Sequence, residues 1–135
     1  MKTIGLIACC SRKLQYAAPA HRLYCSTLFC WSRRWIERHC DSWGILSAKY
    51  GLVLPETLIA PYDKTLSRMT LEERDAWYYS TRLQIDQAFP ESSFIVMAGA
   101  LYKQVLDGLN YTDPLNGLGL GKRLAWLRKE LSCTP

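Results

Sequence analysis

The chain has 135 residues, 49% of them hydrophobic and 21% charged, with a formal net charge of +5. That length suits one domain with one core, residues 1–135, and leaves little room for a second; the apolar fraction speaks against disorder. A pI near 8.9 permits a phosphate-rich partner but falls short of marking a nucleic-acid-binding domain by itself.

Met1-Lys2-Thr3-Ile4 enters an apolar run directly, with neither the h-region nor the cleavage site of a signal peptide. No apolar stretch approaches the length of a membrane span, so a cytoplasmic chain without membrane contact is expected. Thr3 to Cys9 predicts a buried central strand, closed by the polar residues Ser11, Arg12 and Lys13. Pro19 then suits the first turn of a helix, and Leu23, Leu28, Trp31 and Trp35 continue an apolar stripe to about His39. Trp43 to Ser47 is the second expected strand, running into the tight segment Ala48-Lys49-Tyr50-Gly51-Leu52, where Gly51 supplies an unusual backbone angle.

From Val53 to Ser67 two prolines and the lack of a sustained period indicate a long ordered loop across the mouth of the sheet. Thr70, followed by Glu72 and Glu73, starts a helix that ends before Pro90. Phe94 to Ala98 is the third strand, Gly99 leads into a helix carrying Tyr102 and Val105, and Tyr111 begins a short fourth strand. The Gly-rich turn from Pro114 to Gly121 precedes a closing helix through Trp126 and Leu131. This alternation implies an α/β three-layer sandwich with a small parallel sheet of about four strands and helices on both faces.

Six cysteines stand at 9, 10, 25, 30, 40 and 133. An even count fits disulfides only in a secreted chain, so reduced thiols are the simpler expectation. Neither Cys-x-x-Cys nor helical i, i+4 spacing occurs at Cys25 and Cys30, and no metal site or cofactor is expected.

In parallel sheets, ligands bind outside the carboxyl ends of the strands. The segments that follow the expected strands bring Arg12, Lys13, Lys49, Lys122 and Arg123 towards one rim, with Ser11 beside them. Such a rim, with glycines and helix starts behind it, favours phosphate; solvated surface lysines are the plain alternative. The run Gly117 to Arg123 lacks the ending and spacing of a Walker A loop. For chemistry, Glu56 and Asp63 stand near prolines in the mouth loop, where either has the chemistry to activate water or steady a positive charge. Tyr50 and Tyr62 flank the same loop and suit stacking on a base or sugar, with core packing as the alternative.

Several motifs resemble a small bacterial and phage domain family of uncharacterised function. They are Cys9 to Lys13, Pro19-Ala20 with Leu23-Tyr24 and Phe29, Ile45 to Leu52, Pro61-Tyr62-Asp63, Ala98-Gly99 with Tyr102, and Pro114 to Gly121 with Trp126-Leu127. That family is distantly similar to the uracil-DNA glycosylase superfamily and to peroxide-stress proteins that bind DNA. The resemblance implies a uracil-DNA-glycosylase-like fold, with Cys10 to Lys13 at the place of the water-holding loop and Pro114 to Gly121 at that of the loop entering the DNA groove. The first loop has no Asp, Asn or Glu, and no histidine precedes Pro114, so an acid would come from Asp63 or Glu56.

The expectation is therefore a DNA base-excision enzyme. Lys13, Lys49, Lys122 and Arg123, with Ser11 and Arg12, hold phosphates; Cys10, Ser47, Tyr50, Tyr62, Asn116 and Gly117 contact base or sugar; Asp63 or Glu56 supports cleavage. The alternative is a non-catalytic module that binds nucleic acid or a free nucleotide.

Overall fold

The structure, a computed structural model, describes residues 1–132; the Cys133 thiol lies outside them. In chain order the elements are β1 (Thr3–Ala8), β2 (Ala18–Pro19), α1 (Ala20–Leu23), α2 (Thr27–His39), β3 (Ser42–Ser47), β4 (Gly51–Val53) and β5 (Leu58–Ile59). There follow a 3₁₀ turn at Leu66–Arg68, α3 (Leu71–Ala88), β6 (Ser93–Met97), and α4 (Ala100–Lys103) running into a 3₁₀ turn at Gln104–Leu106. β7 (Tyr111–Thr112) and α5 (Leu120–Ser132) complete the chain.

The main sheet has five strands rather than about four, in the order β4-β3-β1-β6-β7. β1 pairs in parallel with β3 and β6, and β6 with β7, while β4 runs antiparallel to β3. The added strand is a local hairpin. Gly51 adopts φ +77°, which turns the chain back on β3 and pairs Leu52 with Leu46.

Side chains alternate across the sheet with the period of two that strands impose. Ile7, Ile45 and Met97 face α2 and α5, packing with Phe29, Trp35, Ile36 and Leu127. Leu6, Leu46 and Val96 face the other way, onto Trp77 and Ile85 of α3 and onto Val105 and Leu106. Helices thus cover both faces. α2 lies so close to β1 that a Cβ on Gly5 would sit 2.3 Å from Ile36 Cγ2.

The first helix is interrupted, contrary to the single helix expected from Pro19 to His39. α1 ends at Leu23; Tyr24 is extended at φ −83°, ψ 122°, and Ser26 caps α2 by accepting the N–H of Phe29 at 3.1 Å. The break has a partner, because the loop after β1 pairs with it. Leu14 N–H donates to Leu23 O, Cys25 N–H donates to Arg12 O, and Lys13 bridges to Tyr24.

The mouth segment is likewise tethered. β2 and β5 form a two-stranded antiparallel ribbon, and Ala20 and His21 donate their N–H groups to Thr57 O and Pro55 O. α3 begins at the expected cap: Thr70 and Glu73 bond reciprocally in a capping box. Among the described residues, no helix is long and apolar enough to cross a membrane.

Candidate functional site

The chain passes from β1 to β3 on one side and later places β6 on the other side of β1. Connections leaving the two neighbours β1 and β6 therefore diverge and open a crevice at their carboxyl ends. A cavity of about 220 Å³ lies there. Its wall includes Cys9 and Cys10 after β1, Gly99 and Tyr102 after β6, and Ser26 and Phe29 at the start of α2. No Asp, Glu or His belongs to that wall.

The second half of the site is built on Ser47, the last residue of β3. It is 0% exposed, and its Oγ accepts the N–H groups of Tyr50 at 3.1 Å and Lys49 at 3.3 Å. That local turn ends the strand and aims Lys49 outward. The same oxygen lies 2.7 Å from the Tyr62 hydroxyl, which lies 2.7 Å from the hydroxyl of Tyr24. Trp77 Nε1 holds the Ser47 carbonyl at 2.8 Å from the α3 side.

Burial pushes the Tyr24 phenol up to about 12 and raises Tyr62 and Tyr102 as well, so all three hydroxyls stay protonated at neutral pH. Cys9 joins the two halves. It lines the cavity, its thiol donates to the Tyr102 hydroxyl at 3.5 Å, and a thiolate there would raise Tyr24 and Tyr62 further.

Over these rings sit two cations. Lys13 Nζ is 4.4 Å from the ring centre of Tyr62 and 5.8 Å from that of Tyr24, while Lys49 Nζ is 5.2 Å from that of Tyr50. Tyr50 and Tyr62 meet edge to face at 5.7 Å. Among the described residues neither ammonium has a carboxylate within 4.0 Å. Aromatic faces, not counter-ions, hold the two lysines.

The expected site residues thus fall into groups. Cys10, Lys13, Ser47, Tyr50, Tyr62 and Lys49 lie on the cavity or the cation–aromatic mouth, with the Cys10 thiol donating to Arg12 O at 3.2 Å. Ser11 and Arg12 are exposed on the loop between β1 and the bridge at Lys13. Asn116 and Gly117 belong to a loop that Lys103 fastens. Its ammonium pairs with Asp113 at 2.6 Å and donates to Asn116 Oδ1 at 3.2 Å, and Leu115 lines the cavity.

Arg123 turns inward, donating from Nε to Leu118 O at 2.7 Å, whereas Lys122 is exposed. The carboxylates stand apart from the cavity. Asp63 is 92% exposed and 3.6 Å from Arg68, and Glu56 is 88% exposed and 3.9 Å from His21.

Tyr24, Phe29 and Tyr102 enter the site without having been picked out as site residues. Their signal in sequence was their place among the motif residues flanking the strand ends, two of them carrying a polar tip that needs a partner once buried.

Fold and site together define a mixed α/β domain with a mostly parallel sheet and a neutral, ring-lined cavity at its carboxyl edge, near two lysines seated on aromatic rings. The chain belongs to the family described as a family of unknown function, DUF6884, whose model matches residues 4–129. Neither the curated proteins nor the solved structures contain a match.

Proposed function

We propose that this domain binds a nucleotide unit, free or within a nucleic-acid strand, with the base in the cavity between β1 and β6 and its phosphate at Lys13 and Lys49. The observation that carries this reading is the pairing of a small apolar cavity with two lysines that, among the described residues, lack carboxylate partners. At about 220 Å³ the cavity is below the roughly 300–1,000 Å³ of pockets for drug-sized ligands. It suits one planar ring with the sugar and phosphate outside. Phe29 and Tyr102 offer apolar faces, and the first turn of α2 supplies a positive dipole end for an acceptor atom on that ring.

A second reading, base excision from DNA on a uracil-DNA-glycosylase-like fold, draws on the same ring-sized cavity, because an extruded base needs such a place. It requires Asp63 or Glu56 to swing in from solvent, since no carboxylate belongs to the cavity wall. The binding reading requires no such movement.

Titrating labelled protein with deoxynucleosides, mononucleotides and oligonucleotides tests the proposal. Saturable NMR shifts at Phe29, Tyr102 and Leu115 are expected, and their absence with every ligand would sink it. Incubation with DNA carrying normal, deaminated and hypermodified bases, then alkaline scission, separates the two readings. Abasic sites that disappear in Asp63→Ala or Glu56→Ala would replace binding alone with excision.

A further inference from the structure

The hydroxyl chain Ser47, Tyr62 and Tyr24 contains three protons and two oxygen-to-oxygen contacts. Each contact uses one proton, so one hydroxyl proton is left without an acceptor inside the chain. Its position follows from Ser47. Two backbone N–H groups already occupy the lone pairs of Ser47 Oγ, so Ser47 must donate to Tyr62. The surplus proton therefore sits on one of the two phenols. Tyr24 is 1% exposed, where an unpaired donor is costly, so Tyr24 donates to Tyr62 and the half-buried Tyr62 hydroxyl carries the surplus proton.

Among the described residues, neither phenol has a hydrogen bond to an acceptor outside the chain. The Lys13 ammonium beside both rings is donor-only, and the Cys9 and Cys10 thiols donate elsewhere, to Tyr102 and to Arg12 O. A surplus phenol proton next to an ammonium with no counter-ion among the described residues calls for an oxygen that is both acceptor and anion. Tyr62 is thereby cast in a different part from base stacking, since its ring is already engaged by Lys13 and Tyr50.

We infer that the Tyr62 hydroxyl and the Lys13 ammonium form an oxyanion subsite that receives a phosphate oxygen, with the buried hydroxyls of Ser47 and Tyr24 fixing the direction of the chain. Lys49 supplies a second positive charge at its outer side. This deepens the nucleotide reading and rests on it for the identity of the anion, but the subsite is testable by itself. A free nucleotide and a nucleic-acid backbone present the same phosphate chemistry.

The test uses ¹⁵N-labelled protein titrated with inorganic phosphate and, separately, with the four 2′-deoxynucleosides. Phosphate is expected to shift the Lys49 and Tyr50 amides saturably, because both bond to Ser47 Oγ. Lys13→Met should abolish the shifts and Lys13→Arg should retain them. Both Tyr24→Phe and Tyr62→Phe keep the ring; Tyr62→Phe should weaken phosphate binding about tenfold to a hundredfold, as expected for a hydrogen bond to a charged group, and Tyr24→Phe, which removes only a bond inside the chain, should weaken it less. Neither should alter deoxynucleoside shifts at Phe29 and Leu115.

Absence of saturable phosphate shifts in the unmodified protein, or unweakened binding in Tyr62→Phe, overturns the subsite. Phosphate binding without deoxynucleoside binding upholds the subsite and overturns the cavity reading; the reverse overturns the subsite alone. A steep loss of oligonucleotide affinity with salt identifies the strand backbone as the phosphate source, and a shallow slope with tighter mononucleotide binding identifies the free nucleotide.

Discussion

Gly51 shows how much one residue can carry. Its φ is +77°, and a Cβ there would lie 2.1 Å from Gln84 Oε1. Gln84 clamps the hairpin turn from α3, accepting Leu52 N–H at 2.9 Å and donating to Tyr50 O at 3.3 Å. Gly51→Ala should therefore incur left-handed strain of about 1–2 kcal/mol and disturb two hydrogen bonds worth about 1 kcal/mol each. The expected result is a lower urea midpoint with an unchanged m-value; an unmoved midpoint would show that the turn relaxes freely. The need for glycine at this position was legible in sequence, because the tight segment after β3 demands it. Gln84 was not legible, since a helix residue announces nothing about which distant turn it grips. The same holds for the hydroxyl chain, whose links join residues 38 and 15 positions apart. Asp63 and Glu56 illustrate the converse. Their chemistry is plain from residue type, but side-chain direction is set by backbone geometry, and both point to solvent.

At the scale of elements, long periodic segments were readable and short ones were not. The helix from Thr70 to Phe89 follows its signals, from a Thr cap with Glu73 to a stop before Pro90. Thr70→Ala should destabilise the protein by about 1 kcal/mol, seen as a lower melting temperature. The Thr70 N–H and, to a lesser degree, its hydroxyl hold the Glu73 carboxyl below its usual range; the variant keeps the N–H, so it should bring Glu73 only part of the way back in a carboxyl titration by NMR. β2 and β5 are two residues each, too short for any period to register, and they exist because they pair with each other. The break between α1 and α2 escaped for a related reason. Leu23, Leu28, Trp31 and Trp35 keep a helical rhythm across it, while the loop from Arg12 to Leu14 draws Leu23 to Cys25 into an extended pairing. Without that break Tyr24 would continue a helix, and the hydroxyl of Tyr62 would lose its neighbour.

For the molecule as a whole, burial of phenols and a thiol makes stability depend on alkaline pH. Tyr24 moves from 10.0 to about 12 and Cys40 from 9.0 to about 11, both mainly by desolvation. A group whose pKa is raised on folding keeps its proton in the native state after the unfolded chain has lost it. The stability linked to Cys40 is complete below pH 9.0 and is lost as pH rises to about 11; that linked to Tyr24 is complete below 10.0 and lost by about 12. Urea unfolding should show a falling free energy across that window, and Tyr24→Phe should make the fall above pH 10.0 less steep, with Tyr62 and Tyr102 still contributing to it. A free energy constant from pH 9 to 12 would contradict this.

The two outer strands of the sheet carry a consequence for how partners can approach. β4 has three residues and β7 has two, and the outward N–H of Leu52 on β4 is already taken by Gln84. An extended peptide or a misfolded neighbour finds at most two or three residues on either edge along which to zip, the usual route to lateral fusion of sheets. Short edges of this kind disfavour recognition by an added strand at either flank of the main sheet.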